Sequence, residues 1–251
     1  MDILSVISAL LDYPEQNLFE HEADINRLIT EAPIEEGQKL KLLAFVRNKL
    51  DQDLLEWQSD YDALFERGRS LGLWLFEHVH GESRDRGQAM VDLSEKYQQA
   101  GLQIAQHQLP DYIPMFLEFL GTQGERNAKE WLLDVEHILA LLLCRLERRE
   151  SDYAFLFEVL LSIAGSTLSL EDVRSQVGKE KRDDSKKAID KEWEEEEVTF
   201  GAGSLDSTCD GATRRPSQSQ RKDQDVPLNW VGFNQPDQTS KSLGASEGVA
   251  Q

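Results

Sequence analysis

The polar side chains best placed to do chemistry fall within residues 75–92, LFEHVHGESRDRGQAMVD, where His78 and His80 stand beside Glu77, Glu82 and Asp85, with Arg84 and Arg86 just beyond. Imidazole and carboxylate together can ligate a transition metal. Glu77 and His80 have the Glu-x-x-His spacing that supplies one half of a di-iron site inside a helical bundle. A complete site needs a second such pair and two more carboxylates, and the chain offers only Asp134 with His137, an Asp in place of Glu. Two other readings suit the same residues. Glu82, Ser83, Arg84 and Asp85 can hydrogen-bond to one another in a tight turn that Gly81 lets reverse. Alternatively the segment is a recognition surface, with Glu77, His78 and Glu82 meeting basic side chains of a partner beside apolar Leu75 and Phe76. Spacing alone does not choose between turn and surface, and the two are compatible.

Nucleophilic and phosphate chemistry find less support. Cys144 falls in an apolar helical run, and Cys209 lies in a polar C-terminal stretch where no base is positioned beside it. Neither Gly-x-Gly-x-x-Gly nor a Walker-type loop occurs. Two cysteines so far apart suggest neither a disulfide framework nor a zinc site, and a reducing compartment is expected. The reading is of a protein that is not an enzyme and needs no cofactor.

Charge points to the class of partner. With 47 Asp and Glu against 27 Lys and Arg, the 251-residue chain carries a formal charge of −20. Phosphate affinity comes from clustered cations that release counterions, so a nucleic-acid partner is excluded and a basic protein segment expected. The N-terminal apolar run follows Asp2, is interrupted by Ser5 and Ser8, and has no basic residue before Arg27, unlike a signal peptide. No stretch is long and apolar enough to span a membrane. A cytoplasmic location follows as an expectation.

The elements that must hold these residues read as helices. Leu occurs 35 times against 22 for Val and Ile together, a bias toward residues that lose little rotamer freedom in a helix. Ile3, Val6, Ile7, Leu10 and Leu11 predict a first helix, stopped by Tyr13-Pro14. A second is expected over 16–31, a third on the stripe Leu40, Leu43, Val46 and Leu50, and a fourth on Leu54, Trp57, Tyr61, Leu64 and Phe65, ended by Gly68. Residues 71–79 are mostly buried, and Met90, Leu93, Tyr97 and Ala100 line a helix that Gly101 closes. After Leu109-Pro110, Asp111 is expected to cap a helix with Pro114 in its first turn. Trp131, Val135, Ile138, Leu139, Leu142 and Leu146 predict one long helix, and 153–164 a central apolar one. Ser169 with Asp172 resembles a capping box opening a charged helix that reaches Phe200 and carries five acids in the six residues from Glu192. From Gly201 the apolar periodicity stops, and 201–251 reads as a disordered tail. The fold class expected is all-α, a single-domain helical bundle. An acidic bundle with apolar surface to spare suits the grip of a basic amphipathic helix, apolar face into a groove and cations toward carboxylates.

The run Tyr61, Leu64-Phe65-Glu66-Arg67-Gly68-Arg69, continued by residues 75–92, resembles the signature block of the NarJ-type assembly chaperones of respiratory nitrate reductase. Leu109-Pro110-Asp111, Tyr153 to Leu161, Arg182-Asp183-Asp184 and Trp193-Glu194-Glu195-Glu196 extend the likeness over residues 1–200. The resemblance implies the helical fold of molybdoenzyme maturation chaperones, with a chaperone domain over 1–168 and an acidic helix over 169–200. It implies a partner, the catalytic α subunit of nitrate reductase with its basic N-terminal segment and the αβ complex, which is held from the membrane until the molybdenum cofactor is inserted. Transient contact with cofactor delivery proteins follows too. Carried onto this chain, the client-binding residues are Tyr61, Phe65, Trp74 and Phe76 for an apolar groove, Glu77, His78, His80, Glu82 and Asp85 for its polar side, and the turn Leu109, Pro110 and Asp111. Arg84 and Arg86 are a lesser expectation for the pyrophosphates of an incoming cofactor. Tyr112 stands where many relatives carry histidine. The alternatives are a chaperone for another molybdenum oxidoreductase, or a helical metalloenzyme using Glu77, His80 and His137.

Overall fold

The apolar repeat at the N-terminus becomes α1 (Asp2–Leu11), which buries Ile3, Val6, Ile7, Leu10 and Leu11 against α8 (Ile113–Thr122). The computed structural model describes residues 1–80, 84–104, 108–184, 188 and 190, without the side chains of His80, Arg84 and Asp85. Among the described residues all regular elements are helical, apart from one isolated β-bridge. Between α1 and α8 come α2 (Gln16–Glu20), α3 (Glu22–Glu31), α4 (Glu36–Leu50), α5 (Leu54–Tyr61), a π turn (Asp62–Glu66), a 3₁₀ turn (Arg69–Leu71), α6 (Leu75–His80) and α7 (Arg84–Gln99). After α8 follow α9 (Glu125–Asp134), α10 (Glu136–Arg148), α11 (Ala154–Ala164) and α12 (Leu170–Val177). The all-α expectation holds. No helix among the described residues is long and apolar enough to cross a membrane.

The centre is α11, apolar nearly all round as its sequence requires, and packed against α1, α9 and α10. Leu156, Phe157 and Leu160 are fully buried there, each contributing about 1.5–3 kcal/mol by leaving water. An aromatic cluster joins α4, α5 and α11. Tyr153 meets Phe45, Tyr61 and Phe65 edge-on, and the Trp57 indole N–H donates to its hydroxyl at 2.7 Å. Such edge-to-face contacts add to burial because ring edges are positive and faces negative. Lys49, only 8% exposed, lays its ammonium over Phe45 and Tyr153 and pairs with Asp152 at 3.0 Å. α11 stops at Gly165, whose φ of +72° is left-handed, and Ser166 N–H reaches back to the Leu161 carbonyl. Gly101 closes α7 in the same way at φ +81°, as expected.

Several expectations need correction. The second helix is two, broken at His21, and the long helix on Trp131 to Leu146 is also two, broken at Val135, whose ψ of 8° interrupts the α geometry. Apolar periodicity runs through both breaks because it records the buried face rather than the backbone path. On α4 the buried face is Leu42, Phe45, Val46 and Lys49, leaving Leu40 68% exposed. Ser169 is the N-cap residue of α12 but makes no side-chain cap bond. That helix ends at Val177, after which the chain turns back along α10 with no helix over 178–184. The acidic run 192–197, the tail 201–251 and its Val226 to Phe233 patch lie outside the described residues.

Candidate functional site

Two stretches picked out separately in the sequence meet through backbone. Leu75 N–H donates to the Asp111 carbonyl at 2.9 Å and Ile113 N–H to the Leu73 carbonyl at 2.8 Å, so Trp74 and Tyr112 face each other across an antiparallel β-bridge. Their rings lie 6.0 Å apart. The bridge fixes Leu109-Pro110-Asp111 beside the start of α6 and corrects the expected role of Asp111. Its side chain is fully buried and accepts from Phe76 N–H at 3.1 Å, so it caps α6 rather than α8. Tyr112 is the N-cap residue of α8 instead, with Pro114 in the first turn as expected. Burial pushes the Asp111 carboxyl up, opposed by the Phe76 amide and by Arg86 at 3.8 Å. A group so enclosed cannot receive a partner's cation.

Around this bridge lies an aromatic surface edged with acid. The Tyr112 hydroxyl donates to Asp12 at 2.8 Å, and Tyr61 donates to the Leu11 carbonyl at 2.9 Å. Both protons are thereby used, and the 3.5 Å approach of the two hydroxyls is a contact rather than a strong bond. Tyr13, 41% exposed, stands edge-on to Tyr61. Burial, then repulsion from Asp62 and Glu77, raises the Glu66 carboxyl above its ordinary range. Burial and Asp12 do the same to Glu118. Asp12 and Glu66 also help to raise the Tyr112 hydroxyl, after burial itself. The acids thus form two groups, Glu66 with Asp62 and Glu77, and Glu118 with Asp12, and both reach the Tyr112 hydroxyl through Glu66 and Asp12. Repulsion of this kind is relieved by an incoming cation, and Lys or Arg can also stack on the exposed Tyr13 ring.

Behind this surface the signature turn is tied to α10. The Asp183 carboxylate accepts from the Ser70 N–H, the Ser70 hydroxyl and Arg149, each at 2.7 Å. Burial pushes its pKa up, but these bonds hold it below the usual carboxylate range. Arg145 clasps Glu180 with both arms of its fork, at 2.8 Å each, and donates to the Ser70 carbonyl at 2.8 Å. Its remaining contact is His78 Nδ1 at 3.3 Å. A guanidinium only donates, so Nδ1 must accept and the Nε2–H donates to the Gly72 carbonyl at 2.7 Å. Burial, partly offset by that Gly72 bond, lowers the His78 pKa and holds the ring neutral. A Cβ at Gly68 would sit 2.7 Å from Asp183 Oδ2, so any larger residue there has to displace that carboxylate.

Of the residues expected to line a groove, Tyr61 and Phe65 are 2% and 1% exposed and belong to the core in this conformation. Burial raises the Tyr61 hydroxyl pKa far beyond its ordinary value. Trp74, Phe76, Glu77 and His78 are half-buried at the surface, Leu109 is exposed and Pro110 is buried. Glu82 and the side chains of His80, Arg84 and Asp85 lie outside the described residues, so the tight turn and the Glu77–His80 metal pair do too. Among the described residues no three His, Cys, Asp or Glu side chains gather as metal ligands. Cys144 is buried and its pKa raised by that burial, as a structural thiol's would be. Sequence reasoning missed Asp12, Tyr13, Glu118, Arg145 and Arg149. Each acts on residues distant in the chain, and only the basic composition of α10's C-terminal turn, Arg145 to Arg149, hinted at any of them.

A family model described as "Nitrate reductase delta subunit" matches residues 31–158. A curated relative described as a "Probable nitrate reductase molybdenum cofactor assembly chaperone", NarW of Escherichia coli strain K12, is 45% identical over 235 residues, 93% of this chain and 98% of its own length. The nitrate reductase molybdenum cofactor assembly chaperone NarJ of the same strain is 44% identical over 84% of this chain and 91% of its own. Among solved structures, a protein from Archaeoglobus fulgidus described as a "Putative Redox Enzyme Maturation Protein" aligns with a TM-score of 0.46 and 19% identity, over 66% of this chain and 93% of its own. On the family match and the length of the shared sequence, the chain belongs to the nitrate reductase delta subunit family, a family of maturation chaperones rather than enzymes.

Proposed function

We propose that this protein is a nitrate reductase assembly chaperone that binds the basic N-terminal segment of the catalytic α subunit on the acid-edged aromatic surface around Trp74 and Tyr112. It holds the αβ complex away from the membrane while the molybdenum cofactor is inserted. The observation that carries the reading is the half-buried aromatic face of Trp74, Phe76 and Tyr112, flanked by repulsion of Glu66 by Asp62 and Glu77 and of Glu118 by Asp12. An amphipathic helix with Lys or Arg along one side would lay its apolar side on Trp74 and Phe76 and relieve that repulsion with its cations. Charge attraction sets the encounter rate, while apolar contact sets how long the client stays. The likeness to named nitrate reductase chaperones over most of the chain supports the choice of client.

The reading is tested by purifying nitrate reductase from cells with and without this protein and measuring its molybdenum. Enzyme made without it is expected to assemble the αβ complex but lack cofactor, and variants neutralised at Glu66 and Glu77 should fall between. Fully loaded enzyme from cells lacking the chain would overturn the proposal.

A further inference from the structure

We infer that residues 178–184 are an ionic latch: a strap held on α10 by ion pairs and charged hydrogen bonds, whose release frees the 3₁₀ turn at Arg69–Leu71 and, through it, α6. The strap reads Gly-Lys-Glu-Lys-Arg-Asp-Asp and has no apolar side chain to bury. Backbone bonds from Gly178, Lys179 and Glu180 run on from the end of α12, and beyond them the strap is fixed by hydrogen bonds and ion pairs to the basic end of α10 and to the turn. Arg145 holds Glu180, Arg149 holds Asp183 and, at 3.5 Å, Asp184. Arg148 donates to the carbonyls of Val177 and Glu180 at 2.7 and 2.9 Å. Three arginines crowd one helix end in a chain of charge −20, and two of them, Arg145 and Arg149, pair with the strap's carboxylates while Arg148 holds carbonyls.

What the strap controls follows from where its bonds lead. Asp183 holds both the amide and the hydroxyl of Ser70. Arg145, clasped by Glu180, holds the Ser70 carbonyl and His78 Nδ1, and His78 returns to the Gly72 carbonyl. Strap, turn and α6 are one unbroken chain of polar contacts, with no hydrophobic side chain on the strap to keep it in place once the charges are screened. Segments that open readily are those with few buried apolar contacts. The consequence for client binding rests on the function proposed above: the latch sets the rigidity of the helix that bears Phe76 and Glu77. The latch itself is measured without any client, so it can fail while that reading stands, and the reverse.

The test is hydrogen–deuterium exchange of the full chain across a salt series, which needs no variant. Raising NaCl from about 0.02 to about 0.5 M shortens the Debye length several-fold and is expected to speed exchange of peptides covering 67–72 and 178–184 by at least about tenfold, with 73–79 following. α8, which has no bond to the strap, should not change. In low salt Asp183→Asn should already exchange at the high-salt rate at Ser70 and show little further response. Salt-independent exchange of the strap would overturn the latch, as would an Asp183→Asn variant as protected as the wild type. Equal acceleration of α8 would also overturn it, since that is general loosening.

Discussion

Replacing Gly68 by Ala tests whether the two distant motifs are locked together as the structure has them. The backbone there is extended, with φ 162° and ψ 155°, so alanine adopts it without strain. The whole cost must come from the methyl, which would sit 2.7 Å from Asp183 Oδ2 and 2.8 Å from its Cγ. The carboxylate has to move, and in moving it gives up the Ser70 amide, the Ser70 hydroxyl and Arg149. Charged hydrogen bonds are worth roughly 1.5–3 kcal/mol each when removed singly, but water reaches this group, which is 27% exposed, and the strap can detach as a unit; we expect a net loss of about 2 kcal/mol. For a chain of this size that is a fall in Tm of roughly 4–8 °C. Urea unfolding should show the same loss as a lower midpoint at constant slope. In an Asp183→Ala background the methyl meets nothing and its cost should vanish, a coupling that a double-mutant cycle reads directly. A Gly68→Ala protein within about 0.5 kcal/mol of the wild type, or one whose loss persists without Asp183, would refute the reasoning.

Two further outcomes follow from single residues. His78 is faced by the Gly72 carbonyl, Arg145 and Glu180, and its pKa is lowered, so its contribution is complete above the ordinary value of about 6.5 and is lost as pH falls toward the folded value; the stability gap between wild type and His78→Gln should therefore shrink from pH 7.5 to pH 5, and a constant gap would contradict the neutral-ring assignment. Glu150 closes α10 at φ +56°, a left-handed position glycine fills without its steric cost, so Glu150→Gly should stabilise by about 0.5–1 kcal/mol in urea, and a loss would show that the side chain has a role beyond the turn.

Most helices could be read from the sequence because apolar spacing records which face is buried. Leu93 and Tyr97 on α7, and Leu156, Phe157 and Leu160 on α11, sit where the pattern puts them. The same pattern cannot see a backbone break that leaves the face in phase, so the breaks at His21 and Val135 leave no trace in it. Capping was half legible. Asp111 is a cap, but the helix it serves is the one brought beside it by the Trp74–Tyr112 bridge rather than the next in sequence. Arg182-Asp183-Asp184 stood out as a motif, yet its partners Ser70 and Arg149 lie far away in the chain, and long-range ion pairing leaves no periodic trace. Aromatic type was also ambiguous: Tyr61 and Phe65 share the helical spacing expected of a groove wall and of a core, and burial decided for the core.

The central claim, that an acid-edged aromatic surface takes a basic client segment, is most directly tested by isothermal titration of the full chain with a peptide of the α subunit's N-terminus. Between about 0.05 and 0.5 M NaCl the affinity should fall roughly tenfold without vanishing, because screening removes the charge attraction and leaves the apolar contact. Neutralising Glu66 and Glu77 to Gln should weaken binding at low salt and flatten the salt dependence. Affinity indifferent both to salt and to those two substitutions would contradict the account.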